Sequence, residues 1–167
     1  MSHQYNNLGK WIIVIYIWLI TLMCVILVSC ADYNRFPLVW LGTSGFEADT
    51  FKIIDLYINE LNMLAGKKLI VTEGDGSTLT IHHQPEIKAA VIVGRAIIER
   101  GKCTILLTDI AIKEQYLKAV LWHELGHCLG LGHDVEENQI MSPFVIPWDE
   151  YTEDAINKFI NNLTKSY

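Results

Sequence analysis

The sequence predicts an α+β domain of about five strands and three helices, preceded by a membrane-targeting segment. Three observations carry this reading. Short, β-branched apolar segments alternate with turns rich in Gly, Pro and Asp. After Phe46, apolar residues recur at three- and four-residue steps, the period of a helix. A charge-free run from Trp11 to Ser29 stands apart from the rest of the chain. With 167 residues, one domain is expected, and the roughly 130 to 140 residues left after the N-terminal segment suffice for one hydrophobic core. The organisation is therefore residues 1–30 as a targeting segment, 31–36 as a short polar tether, and 37–167 as the folded domain.

The Trp11 to Ser29 run is about as long as a helix needs to cross ~30 Å of hydrocarbon. Export is the consequence, with Lys10 on the inner side. Leu27-Val28-Ser29-Cys30 resembles a bacterial lipobox, in which Cys30 is lipidated and becomes the new N-terminus; the alternative is a plain uncleaved anchor. Either form tethers the domain outside the cytoplasm. The remainder of the chain carries all nineteen acidic residues and all but one of the thirteen basic ones, a formal charge of −7. That acidity argues against nucleic acid as a partner. The spacing of the charges describes a solvated surface, and a monomer is expected.

The elements follow in order. Phe36 to Leu41 reads as a first strand and Gly42 to Gly45 as a turn. Phe46, Ile53, Ile54, Leu56, Tyr57, Leu61 and Leu64 then mark a long amphipathic helix, stopped at Ala65-Gly66. Strands are expected at Lys68 to Thr72, Thr78 to His83, Ala89 to Ile98 and Cys103 to Thr108. Thr108 or Asp109 is positioned to cap a second long helix, Ile112 to Leu131, ending near Gly130 and Gly132. A loop from Asp134 leads to a last helix, Thr152 to about Leu163, with a Thr-Glu-Asp start. Cys103 and Cys128 are too few for a disulfide framework; two separate buried thiols are expected over a single bridge. His82 and His83, neighbours on a strand, point to opposite faces, which works against a second metal there. Trp122 and Leu125 read as packing the second helix onto the sheet, and Trp148 as a cover for the loop.

The chemistry sits at the end of the second helix, His123-Glu124-Leu125-Gly126-His127-Cys128-Leu129-Gly130-Leu131-Gly132-His133. Four residues advance a helix by about 400°, so His123 and His127 project from one face, one turn apart, within reach of a single ion. Glu124 stands about 100° round from them. It suits contact with a water on that ion better than ligation. His133 completes three ligands and leaves an open position on tetrahedral zinc, provided the chain turns sharply at Gly130, with Gly132 as a further candidate for positive φ.

This stretch is the signature of the metzincin clan of zinc metallopeptidases and looks most like its matrixin branch. Ile140-Met141-Ser142-Pro143 resembles the Met-turn, in which the Met lies beneath the zinc. The resemblance implies a twisted mixed sheet behind the active-site helix, with one antiparallel edge strand, Ala89 to Ile98 by order, lining the cleft. It also implies that Ser142 to Pro147 wall the pocket for the side chain just past the scissile bond. Three departures stand out. The chain has no room for a propeptide Cys of the matrixin kind, Pro143 is followed by Phe144 and Val145 rather than by the usual Pro-x-Tyr, and Asp134 after the third His is a feature of other branches.

The function expected is zinc-dependent endopeptidase activity on extended peptide or protein substrates, with one catalytic zinc ion and Glu124 as general base. The alternative is a zinc-bearing surface lipoprotein that binds a partner or peptide without cleaving it. The intact Glu124 argues for hydrolysis, since a structural site needs no base and tends to be closed by four protein ligands.

Overall fold

The computed structural model describes residues 37–73, 78–85 and 93–165. The Trp11 to Ser29 run, Cys30 and the 31–36 tether lie outside the described residues. Among the described residues no helix is long and apolar enough to cross a membrane. The chain divides into units Met1–Tyr33 and Asn34–Tyr167, and every described residue belongs to the second.

Five strands form one mixed sheet: β1 (Leu38–Ser44), β2 (Ile70–Val71), β3 (Thr78–His83), β4 (Gly94–Glu99) and β5 (Lys102–Leu107). Their spatial order is β2-β1-β3-β5-β4. All neighbours run parallel except the last pair, where β4 lies antiparallel to β5 at the edge. Ala89 to Ile98 was the expected extent of this edge strand; residues 89–92 lie outside the described residues, and pairing starts at Gly94 and reaches Glu99. The β4–β5 turn is Arg100-Gly101, both with positive φ (43° and 77°). That is the two-residue geometry whose twist matches the flanking strands.

Three helices pack on the sheet, α1 (Ala48–Ala65), α2 (Glu114–Cys128) and α3 (Glu153–Lys165), with a 3-10 turn at Trp148–Glu150. α1 ends at Gly66 in the left-handed region, φ 65°, as the Gly stop predicts. Its buried side is Ile54, Ile58 and Leu61, an i, i+4, i+7 stripe. Ile53, Leu56 and Leu64, which belong to the same period in the sequence, stay exposed. The apolar pattern was wider than the face the sheet covers. Asn62 ties the helix to β2: its Oδ1 accepts from the Leu69 and Ile70 amides (2.8 and 3.0 Å) and its Nδ2 donates to the Ile70 carbonyl (2.7 Å).

Alternation in β3 and β5 puts Leu79, Ile81, Cys103, Ile105 and Leu107 on the buried face. α2 starts later than its sequence pattern suggested, with Lys113 at the N-cap and no side-chain cap. Thr108 and Asp109 are engaged elsewhere: Thr108 Oγ1 donates to the Val93 carbonyl (2.9 Å) and Asp109 pairs with His83 (2.8 Å). At α3 the expected Thr cap is present, Thr152 Oγ1 accepting from the Ala155 amide (3.2 Å). Cys103 and Cys128 form a disulfide, which corrects the expectation of separate thiols. The strand and helix registers bring their Cα atoms to 5.7 Å, inside the bridging range.

Candidate metal centre

The motif helix ends in two hydrogen bonds that define a Schellman turn: the Leu131 amide donates to the Gly126 carbonyl (2.8 Å) and the Gly130 amide to the His127 carbonyl (2.9 Å). Gly130 supplies the positive φ, 87°; Gly132 does not share it. The turn sends His133 back toward the helix. As a result the Nε2 atoms of His123 and His127 lie 3.1 Å apart, those of His127 and His133 also 3.1 Å, and the ligand atoms of all three fall within 4.8 Å of one another.

The far side of each helical imidazole is held by the backbone. His123 Nδ1 sits 2.7 Å from the Ile140 carbonyl and His127 Nδ1 2.9 Å from the Leu131 carbonyl. A carbonyl only accepts, so each Nδ1 carries the proton and each Nε2 keeps its lone pair. Burial pushes the His123 pKa down to about 4, against the raising effect of the Ile140 carbonyl, and burial lowers that of His127 as well. Neutral imidazoles facing each other at 3.1 Å have no shared proton to bond through. A cation between them resolves the repulsion, and three imidazole nitrogen donors with a remaining open position suit zinc.

Glu124, 5 % exposed, lies beside this cluster against β4. Desolvation raises its pKa to about 7, partly offset by a backbone hydrogen bond from Ala96. This approach depends on Gly94. A Cβ there would stand 2.6 Å from Val120 Cγ1 and 2.9 Å from Glu124 Oε1. A cleft of about 490 Å³ opens over the three His and Glu124, lined also by Val93 to Ala96 of the edge strand and by Pro143, Phe144 and Val145.

Met141 is buried beneath the helix. Gly126 makes room for it, since a Cβ at that position would meet Met141 Sδ at 2.4 Å. The loop around Met141 is bonded to the motif segment it underlies: the Ile140 carbonyl receives His123, and the Met141 carbonyl accepts from the Asp134 amide (2.8 Å) next to His133. Lys158 of α3 bridges Asp134 (2.8 Å) and Glu136 (2.7 Å), and the Lys158 hydrogen bond holds the Asp134 carboxyl below its usual pKa.

Other expected residues fall outside the centre. His82 Nδ1 bonds Ser44 Oγ, while His83 bonds the Gly45 carbonyl and Asp109. Among the described residues the three motif His form the group that could hold a metal. Trp122 reaches toward α1 and α3, its Nε1 donating to the Tyr57 carbonyl (3.1 Å) and its ring stacked on Phe159. Sequence reasoning missed Gly94 and Gly126 and ranked the Cys103–Cys128 bridge behind separate thiols. A Gly inside a strand or a helix signals close approach, but the partner is set by tertiary packing.

A mixed sheet with an antiparallel edge strand along a three-His cleft, on this element order, has the architecture of a metzincin metallopeptidase catalytic domain. The matrixin family model matches residues 51–159, more than half of the chain, and the chain belongs to that family. No curated protein matches the chain. Family membership and the three-His cluster together point to a zinc metallopeptidase.

Proposed function

We propose that the chain is a zinc-dependent endopeptidase acting on extended peptide or protein substrates, with one zinc ion held by His123, His127 and His133 and with Glu124 as general base. The observation that carries this is the meeting of three imidazole Nε2 atoms and a buried carboxyl in one open cleft. Zinc in that position supplies a Lewis acid that polarises a peptide carbonyl and lowers the pKa of water to near 7.

The chain's own residues do the rest. Glu124, desolvated with a pKa near neutrality, is suited to take a proton from the attacking water and pass it to the leaving amine. The edge strand β4 offers backbone donors and acceptors for an extended substrate, and Pro143, Phe144 and Val145, which line the same cleft, serve as the wall for the side chain past the scissile bond. Gly130 and Met141 support the ligands from behind. The non-catalytic alternative leaves a buried carboxyl beside the ligands without a role.

The domain works as a monomer outside the cytoplasm, tethered through its N-terminal segment, with lipidation of Cys30 favoured over an uncleaved anchor. Its substrates are then proteins at or near that membrane. The test is Glu124→Ala: one equivalent of zinc should remain by metal analysis while hydrolysis of an unstructured protein such as casein all but disappears. A variant that keeps full activity sinks the assignment, and so does a wild-type protein whose hydrolysis survives removal of zinc by a chelator.

A further inference from the structure

Strands β1, β2, β3 and β5 are parallel, so their starts, Leu38, Ile70, Thr78 and Lys102, lie along one end of the sheet. The chain enters the domain at that end, where the Leu38 amide donates to the Leu69 carbonyl (2.9 Å). α1 finishes there too, because it leads through Lys67 and Lys68 into β2. The last turn of α1 leaves Met63 72 % and Leu64 45 % exposed, beside the point of entry. Lys67 Nζ donates to the Thr164 carbonyl (3.2 Å), which draws the end of α3 and its Lys165 to the same place.

Among the described residues the basic side chains at this end outnumber the acidic ones, against the balance of the whole domain. Lys67, Lys68, Arg100, Lys102 and Lys165 gather there, with Glu99 opposite Lys102 in the β4–β5 register and Asp134 sharing a cavity lining with Lys165, in a domain whose formal charge is −7. Exposed long apolar side chains next to lysines suit a surface that is anionic outside and apolar within, where the apolar groups insert and the lysine stems reach outward. The tether supplies proximity. Cys30 to Pro37 is eight residues, a reach of about 30 Å at full extension, and the same limit holds for a lipidated Cys30 and for an uncleaved anchor.

We infer that this strand-start end, through Met63, Leu64, Lys68, Lys102 and Lys165, rests on the anionic phospholipid headgroups of the membrane that holds the chain. The inference builds on the membrane-tethered reading proposed above. It predicts a fixed orientation of the domain on the bilayer rather than free swinging on its tether.

The test uses the full chain reconstituted into vesicles of phosphatidylcholine alone or with phosphatidylglycerol, with lysine acetylation followed by mass spectrometry. Exposed Lys68, Lys102 and Lys165 report on the docking end; exposed Lys52 and Lys113, at the starts of α1 and α2, report on the opposite one. With phosphatidylglycerol present, acetylation of the first three should fall several-fold while the other two label as they do in detergent, and raising the salt should reverse the protection. Lys68→Glu with Lys102→Glu should abolish the protection of Lys165. Equal labelling at both ends in vesicles that retain the chain overturns the docking surface, as does protection that ignores lipid charge. A chain that leaves the vesicles in an alkaline carbonate wash refutes the anchor itself, and the docking surface with it.

Discussion

Helices α1 and α2 are close in length and opposite in construction. Eleven of the fifteen residues of α2 are buried, against three of the eighteen in α1. α1 covers the sheet with one stripe. α2 is enclosed by β4, β5, α1 and the 3-10 turn, and even its Lys118 is buried, paired with Glu60 (2.6 Å) and seated over the Trp148 ring (4.2 Å). The difference follows from what each helix carries. An imidazole must stay neutral and a carboxyl must be desolvated for the chemistry proposed above, and only surrounding packing on all sides of the helix provides that. A covering helix needs one good face.

The largest expected effect of breaking this enclosure is at its covalent end, where Cys128 follows the motif residue His127. Closing a loop of 25 residues constrains the unfolded chain by about 3.5 kcal/mol on the loop-entropy estimate. Replacing Cys103 and Cys128 together by Ala should lower stability by about 3 kcal/mol, read as a shift in the urea midpoint. It should also weaken zinc binding, because the turn that positions His133 begins two residues after Cys128. A double variant as stable as the parent would mean that noncovalent packing alone holds the end of α2.

Desolvation has its own signature in the zinc-free protein. His123 titrates near 4 when folded and 6.5 otherwise, so the unfolded chain takes up this proton first and stability falls as pH drops from about 6.5 to 4. Glu124 titrates near 7 when folded against 4.5. There the folded chain takes up the proton first, and stability rises as pH drops from about 7 to 4.5. The two slopes oppose each other across most of that window. Glu124→Gln should expose the His123 slope, making the zinc-free variant lose up to about 3 kcal/mol more than the parent between pH 6.5 and 4. Parallel stability curves for the two proteins would show that the burial of these groups has no energetic consequence.

Gly126 sets a helix propensity against a packing contact. Propensity alone predicts that Ala gains up to about 1 kcal/mol at a helical position, here in the last turn of α2. The Cβ would stand 2.4 Å from Met141 Sδ and 3.0 Å from Phe159 Cε2, and overpacking of this kind costs about 1 to 3 kcal/mol. Gly126→Ala should therefore be neutral to destabilising by up to ~2 kcal/mol, with reduced zinc affinity, since the displaced Met141 segment also holds the Nδ1 of His123. A stabilised variant with unchanged zinc binding would place Met141 elsewhere.

The same contrast governs how much of the molecule could be read from its sequence. The motif on α2 was legible because ligand chemistry demands residue types at fixed spacing: three His, one Glu and the Gly at the bend. The partners of that motif were not. Gly94 and Gly126 matter only through what approaches them, and Cys103 meets Cys128 only because β5 and α2 are brought together in the fold. The expected caps, Thr108 and Asp109, were satisfied by Val93 and His83, which no local pattern could reveal. In α1 the period was visible but its phase was not, because nine large apolar residues from Phe51 to Leu64 allowed more than one buried side.

That phase can be tested with the smallest effect expected. Leu56 is 61 % exposed on the side of α1 away from Ile54, Ile58 and Leu61. Leu56→Gln should change stability by no more than about 0.5 kcal/mol, the range of ordinary surface substitutions. Ile58→Ala, one half-turn away on the buried stripe, serves as the control and should cost about 2 to 5 kcal/mol. Should Leu56→Gln prove as damaging as Ile58→Ala, α1 would be packed on both sides and would resemble α2 after all. The contrast between a covering helix and an enclosed one would then lose its ground, whatever the chemistry at His123.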